Sequence, residues 1–531
     1  MHLITSHSVL ICNFSVYVEF CLTMRHVVAL DVGTTTVRCH IIDENANTVS
    51  SSIEKVELIC SKRGYIEIDP DHFWNIIVKT VKDTLHVSGL DPSSLTCFGI
   101  STQRGTFSCW NLLTGNHYHN FITWKDLRAD SLVKEWNCSL IIKGLRVGAY
   151  ILYILTRSNR FLAGSVWKFM NTQITLRLLW VLQHVQGLRE ATMNDSVVFG
   201  DVNCWLLYKL TGKHITDASS ASATGLFDPF TMKWATWAMN LLKIPHHIFP
   251  KIVDTATNFG VTPKHIFGVE IPIYCCMADQ AASLFGSGCF NPGDMKITMG
   301  TGTFVNVNTG TKPYASVTGL YPLVGWRIES ELVYIVEGSS NDTGILIEWA
   351  KALEIYKDVA EISDLANSVE DSDGVYFIPA FTGLQAPINN NSAAAGLLGV
   401  KSTTKKAHIV RSLLESLVFR TLLLCDSFHS ETNFTFNKAR IDGGVSQNDF
   451  MMQLLADVTG LEIERPASVE MSIFGAASCA GLYCGIWKNK EELKNLRKVE
   501  KIFKPNKDSQ LRYKNTITQW KRAVDRFTNW Y

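Results

Sequence analysis

Apolar residues in this chain follow two rhythms: short β-branched runs that stop at glycine and threonine, and longer stretches at helical spacing. The first run, Val27, Val28, Ala29 and Leu30, ends in Asp31. It turns through Gly33, Thr34, Thr35 and Thr36 and returns as Val37, Arg38, Cys39, His40, Ile41 and Ile42. Its length and β-branched content predict a buried strand, a tight turn and a second strand. The same plan comes back far along the chain: Lys296, Ile297, Thr298 and Met299 meet Gly300, Thr301, Gly302 and Thr303, and Phe304, Val305, Asn306 and Val307 lead away. A third run, Arg440, Ile441 and Asp442, meets Gly443 and Gly444 before Met451, Leu454, Leu455 and Val458 recur at helical spacing.

Other elements follow from the same patterning. Asp69 before Pro70 predicts an N-cap with proline at the first helical position, and Phe73, Ile76, Ile77, Val81 and Leu85 continue that helix. Cys97, Phe98, Gly99, Ile100, Ser101 and Thr102 predict a buried strand that delivers Gln103 and Arg104 at its end. Residues 200–212 read as a capped helix ended by Gly212. Asp279 is expected to end a strand and cap a helix of small residues. The Gly/Pro-rich residues 286–294 mark the best domain boundary. Helices are predicted after Gly344 and after Val400, the second through Ile409, Leu413, Leu414, Leu417 and Val418. The tail from Tyr513 shows a stripe of Ile517, Trp520, Val524, Phe527 and Tyr531 that should dock on the body. Residues 140–169 match no motif, and their apolar run at 147–155 is too short to span a bilayer.

Composition narrows the class. The 531 residues are 46% hydrophobic and 19% charged, which suits two or more domains with ample core and not a disordered chain. A net charge of +1 gives no ground for nucleic acid or an acidic membrane as partner. The 14 cysteines are scattered without paired CxxC metal spacing, so free thiols in a reducing, cytoplasmic compartment are expected. Residues 9–22 are apolar but hold Asn13 and Glu19, and lack the basic start of a secretory signal. They are shorter than the ~20 residues of a membrane helix. Residues 1–23 are therefore expected to be an extension outside the fold.

The turn residues suggest chemistry. Gly33 lets a ligand approach the backbone, because no Cβ intervenes. The adjacent threonine hydroxyls and backbone N–H groups suit an anion such as phosphate. Asp31 sits where it could hold a hydrated Mg²⁺, an ion that favours carboxylates and keeps its waters. Two such hairpins facing each other could grip the phosphates of one nucleotide, with adenosine lying on the bare Gly443-Gly444 backbone. Arg104, at the carboxyl end of a strand, is placed to bind a polar substrate.

Taken together these residues resemble the actin-like ATPases and, within them, the FGGY carbohydrate kinases of the glycerol kinase branch. The resemblance rests on residues 31–38, Ser101-Thr102-Gln103-Arg104, Trp124, Ala278-Asp279-Gln280, residues 300–304, residues 379–387 and Asp442-Gly443-Gly444, in family order over nearly the whole chain. It implies an α/β fold of two actin-like (ribonuclease H-like) ATPase domains with a cleft between them. The implied parts are an extension (1–23), an N-terminal domain (24–288), a C-terminal domain (289–490) and a helical tail (491–531). It implies ATP-dependent phosphorylation of glycerol to glycerol 3-phosphate, with Asp279 as the general base. Arg104, Trp124, Asp279, Gln280 and Phe304 would line the polyol. Thr34, Thr35, Arg38, Gly300 and Thr301 would surround the phosphates, and Gly344, Gly444, Val445 and Asn448 the nucleoside. Asp31 and Asp279 would hold Mg²⁺ through water. The implied partner is a small polyol, with no nucleic acid and no stable membrane span; homo-oligomerisation is left open.

Three departures stand out. Gly105 stands where glycerol kinases usually carry glutamate, which predicts a lost hydroxyl acceptor and room for a bulkier substrate. Ile388-Asn389-Asn390-Asn391 and Ala394 replace the family's usual Tyr-Trp-Asp-Pro segment and its arginine. Asn203 stands where aspartate is common. Two alternatives follow: a kinase for another small polyol or a ketose, and a catalytically weak nucleotide-binding regulatory protein.

Overall fold

The computed structural model describes residues 24–194 and 196–531; the expected extension at 1–23, with its apolar run, lies outside the described residues. Among these, thirteen strands join into one sheet. In chain order they are β1 (His26–Val32), β2 (Thr36–Asp43), β3 (Thr48–Lys55), β4 (Leu95–Thr102), β5 (Ala256–Val261), β6 (Pro272–Ala278) and β7 (Met295–Met299). The remainder are β8 (Thr303–Gly310), β9 (Tyr321–Ile328), β10 (Glu331–Ser340), β11 (Lys438–Asp442), β12 (Glu462–Pro466) and β13 (Val499–Phe503). Across the sheet they run β13-β12-β11-β7-β8-β10-β9-β5-β6-β4-β1-β2-β3.

Each half repeats one plan. A hairpin, β1–β2 or β7–β8, carries an antiparallel third strand on its outer side, β3 or β10. Two parallel strands follow on its other side, β4 and β6 or β11 and β12. The halves meet where β5 pairs with β9 through Ala256 and Ile328. Every residue of β1 is buried, which explains its unbroken apolar sequence: a central strand covered on both faces has no wet side to alternate toward. Edge strand β3 is polar and mostly exposed, as an unpaired edge should be.

Helices cover the sheet. Pro70–Ser88 begins as predicted, with the His72 N–H donating to Asp69 Oδ1 at 2.7 Å. Val202–Thr211 is capped by Asp201 and closed by Gly212. Asp279–Gly286 and Met471–Tyr483 pack together, and the latter also covers β1, β4 and β6. The long helix Lys406–Glu431 buries Leu413, Leu414, Leu417 and Val418 in the core of the second half. The tail forms helix Lys507–Phe527, which buries Tyr513, Trp520 and Val524, with Trp520 Nε1–H donating to Phe377 O at 2.9 Å. Tyr531 does not share that stripe: it lies beyond the helix end with its side chain exposed, while its N–H donates to Ser392 O at 3.0 Å.

Candidate active site

Topology brings the predicted polar residues to one place. Strands β1, β4 and β6 are parallel neighbours, with Asp31 opposite Ser101 and Ala278 opposite Thr102. Asp31, Gln103, Arg104 and Asp279 therefore emerge together at the carboxyl ends of three adjacent strands, where ligands sit in open α/β sheets. Ser101 Oγ–H donates to Asp31 Oδ1 at 2.7 Å. Burial pushes the Asp31 carboxyl up to about 6, against the Ser101 hydrogen bond and the Arg38 charge.

Asp279 occupies the first turn of helix Asp279–Gly286. The sequence reading made it the helix cap, but the N-cap position belongs to Ala278. Asp279 Oδ1 instead accepts the adjacent Gln280 N–H at 2.7 Å and faces Arg104 Nε at 3.4 Å. Burial raises the Asp279 carboxyl to about 6, Arg104 opposes the rise, and the negative charge of Asp31 adds to it.

Arg104 is held from its far side by a residue that sequence reasoning passed over. Glu337 on β10 is fully buried, and both its carboxylate oxygens accept from Arg104 Nη2 at 2.8 Å. Tyr321 O–H donates to Glu337 Oε1 at 2.6 Å, and Asn306 Nδ2–H to Oε2 at 2.7 Å. Burial works against the Arg104 charge, but Glu337 and Asp279 outweigh it and its pKa is raised. Lys296 is a second residue that was passed over. It is buried in β7 and donates from Nζ to Gln280 Oε1 at 2.8 Å and to Ser283 Oγ at 3.1 Å. Thr298 and Ser283 then donate to Asp442 at the end of β11. A charged residue inside an apolar strand run was the available signal for both: Glu337 ends Val333–Val336 and Lys296 opens the second hairpin.

Aromatic rings stand beside Arg104. Trp124 and Phe304 meet edge to face, their centroids 6.3 Å apart, and the Arg104 guanidinium lies 5.9 Å from the Phe304 centroid. Trp124 Nε1–H donates to Thr34 Oγ1 at 2.9 Å, and the Thr34 hydroxyl donates to Gln103 Oε1 at 2.8 Å. The first hairpin turn is thereby tied to the aromatic wall.

The remaining predicted residues are spread around this centre. Thr35 is exposed and Thr301 half-buried on their turns. Gly344 donates its N–H to Gly300 O at 3.0 Å. Gly444 has open space beside its Cα, and Val445 packs partly against the second-half core. Asn448 Oδ1 accepts the Met451 N–H at 2.9 Å and caps helix Asp449–Thr459. Arg38 Nη1 sits 3.2 Å from Glu470 Oε2 and 3.9 Å from Asp31 Oδ2. Among the described residues no three acidic, histidine or cysteine side chains gather as a metal cluster.

Gly105 reverses an expectation. The room predicted beside it is filled: a Cβ there would lie 2.8 Å from Thr172 O and 3.2 Å from Trp124 Cβ. Arg177 is buried behind it and donates from Nη2 to Gly105 O at 2.7 Å and Thr172 O at 2.9 Å, and from Nη1 to Thr123 O at 2.5 Å. An arginine bound to backbone carbonyls thus stands beside Gly105, its Nη2 3.6 Å from the place of a Cβ.

Comparison with known proteins agrees with this geometry. The model of the FGGY family of carbohydrate kinases, N-terminal domain, matches residues 26–286, and that of its C-terminal domain matches residues 295–484. Glycerol kinase 5 of Bos taurus is 46% identical over 95% of this chain and 96% of its own. Glycerol kinase 2 of Thermotoga maritima is 35% identical over 96% and 99%. The crystal structure of Plasmodium falciparum glycerol kinase with ADP superposes with a TM-score of 0.82 at 28% identity, covering 95% of this chain and 98% of that one. The two-domain actin-like ATPase fold is thus that of this chain.

Proposed function

This chain belongs to the FGGY family of carbohydrate kinases and is a phosphotransferase acting on an alcohol group with ATP as donor; we propose that its acceptor is glycerol, that its product is glycerol 3-phosphate, and that it works in the cytoplasm. The observation that carries this reading is the pair formed by half-buried Asp279 and Arg104, 3.4 Å apart, with the Phe304 ring beside the Arg104 guanidinium. A hydroxyl is a weak nucleophile until its proton is accepted. Asp279, its pKa raised by burial to about 6, is ionised at neutral pH yet basic enough to take that proton. The acceptor oxygen then bonds to the γ-phosphorus, the bond to the β–γ bridging oxygen breaks, and ADP leaves. Arg104, fixed by Glu337, holds a neighbouring hydroxyl, while the two rings cover carbon and keep out water, a competing acceptor.

The phosphates would lie between the turns that hold Thr34, Thr35 and Arg38 and those that hold Gly300 and Thr301, with the nucleoside along Gly344, Gly444, Val445 and Asn448. Two carboxylates, Asp31 and Asp279, lie close enough for one charge to raise the other's pKa, which suits a divalent cation held through water. Bound there, Mg²⁺ would supply charge neutralisation for the transferring phosphate. The filled space beside Gly105 favours a small acceptor over a bulky polyol or ketose. The test is ADP release from Mg·ATP with glycerol, larger polyols and ketoses in parallel, with the product identified by mass. Highest kcat/KM with glycerol is expected. A larger polyol or ketose used at least as well would refute glycerol as the acceptor, and ATP binding without release by any acceptor would favour a regulatory role.

A further inference from the structure

Helix Leu140–Thr156 breaks the rule that this chain buries its apolar residues. Only Ile142 is buried on it, although the helix is apolar around most of its circumference. Leu140, Val147 and Leu155 are 85%, 60% and 74% exposed, and Ile141, Ile151 and Ile154 lie near half exposure. Its main packing partner is the short helix Asn159–Val166, which buries nothing itself. Exposed apolar surface on this scale marks an interaction site. A helix that is apolar all round needs an apolar surrounding.

The charge pattern says what kind. From residue 136 to residue 189 there is no aspartate or glutamate. Arg146 is used internally, donating from Nε to Trp167 O at 2.6 Å, and Arg160 pairs with Asp228 at 2.6 Å. Lys143, Arg157 and Lys168 are exposed, and none has an acidic partner among the described residues. Apolar side chains interleaved with unneutralised cations match an anionic bilayer surface, where acyl chains receive the first and headgroups the second. No single helix among the described residues is long and apolar enough to cross a membrane, and Leu140–Thr156 reaches that length only together with Asp130–Cys138, from which it is bent by 55°; a helix lying in the interface plane fits that bend. A second copy of the chain fits less well, since two such faces would set like charges against each other.

We propose that the helical hairpin of Leu140–Thr156 and Asn159–Val166 docks this chain on an anionic lipid bilayer surface. The test is flotation of the full chain with phosphatidylcholine vesicles, with and without phosphatidylserine, at low and high salt. Two double variants accompany it, Ile151→Glu with Leu155→Glu and Lys143→Glu with Arg157→Glu, all at exposed positions and with thermal unfolding checked against the parent. Flotation is expected only with phosphatidylserine and at low salt, and each double variant should lower the bound fraction by about tenfold or more. Failure to float with phosphatidylserine would overturn the proposal, and so would equal flotation with phosphatidylcholine alone. A lipid-free dimer in sedimentation velocity that Ile151→Glu with Leu155→Glu dissolves would also overturn it, by making a second copy the occupant.

Discussion

Replacing Glu337 with glutamine tests whether a residue that does not line the acceptor governs the chemistry through Arg104. The substitution keeps shape and removes one charge. In the parent both carboxylate oxygens accept from Arg104 Nη2 at 2.8 Å. Opposite charges about 4 Å apart interact by about 4 kcal/mol at an effective dielectric near 20. A neutral hydrogen bond retained by the amide returns about 1 kcal/mol. If the remainder, about 3 kcal/mol, falls on the hold of Arg104 over the acceptor, kcat/KM for glycerol drops on the order of 100-fold. The pH profile moves as well. Glu337 is among the charges that raise the Asp279 carboxyl, and without it Arg104 turns wholly to Asp279. Both effects favour the carboxylate, so the acid limb should move below about 6. The assay is glycerol-dependent ADP release across pH, with thermal unfolding as the control for folding. A folded variant within about threefold of the parent, roughly 0.6 kcal/mol, would refute this coupling, as would an upward shift of the limb.

Gly344→Ala would place a Cβ 2.7 Å from Gly300 O, so KM for ATP should rise on the order of tenfold while KM for glycerol stays, read from initial-rate kinetics. Gly105→Glu should not improve glycerol binding: with φ at +71° and Thr172 O 2.8 Å from the new Cβ, it should cost about 1–3 kcal/mol in denaturant unfolding and raise KM for glycerol. Trp520→Ala should remove about 3–5 kcal/mol of stability in denaturant unfolding, because a fully buried ring and its bond to Phe377 O anchor the tail helix.

The hairpins were legible because a buried strand has to be an unbroken β-branched run, and its turn has to show glycine and threonine. The places of Arg104 and Asp279 at strand ends were legible because each follows such a run. What locks Arg104 was not, since Glu337 lies 233 residues away and only the sheet order brings it near. Asp279 was misread as a cap because an acid after a strand looks the same whether it caps its helix or begins it. Gly105 was misread because the absence of a side chain says nothing about what else has filled the space, here the Thr172 carbonyl and Arg177. The 140–156 helix was passed over because its apolar residues follow no pattern that an ordinary core would impose.

Glycerol-dependent ADP release from Mg·ATP, followed across pH in the parent and in Asp279→Asn, most directly tests the role of the Asp279 carboxylate. Only the ionised carboxyl accepts a proton, so parent activity should fall as pH drops through about 6. The variant should lose about 10²–10⁴-fold of turnover while still binding ATP. Turnover in Asp279→Asn within about tenfold of the parent, or release that ignores glycerol, would contradict it.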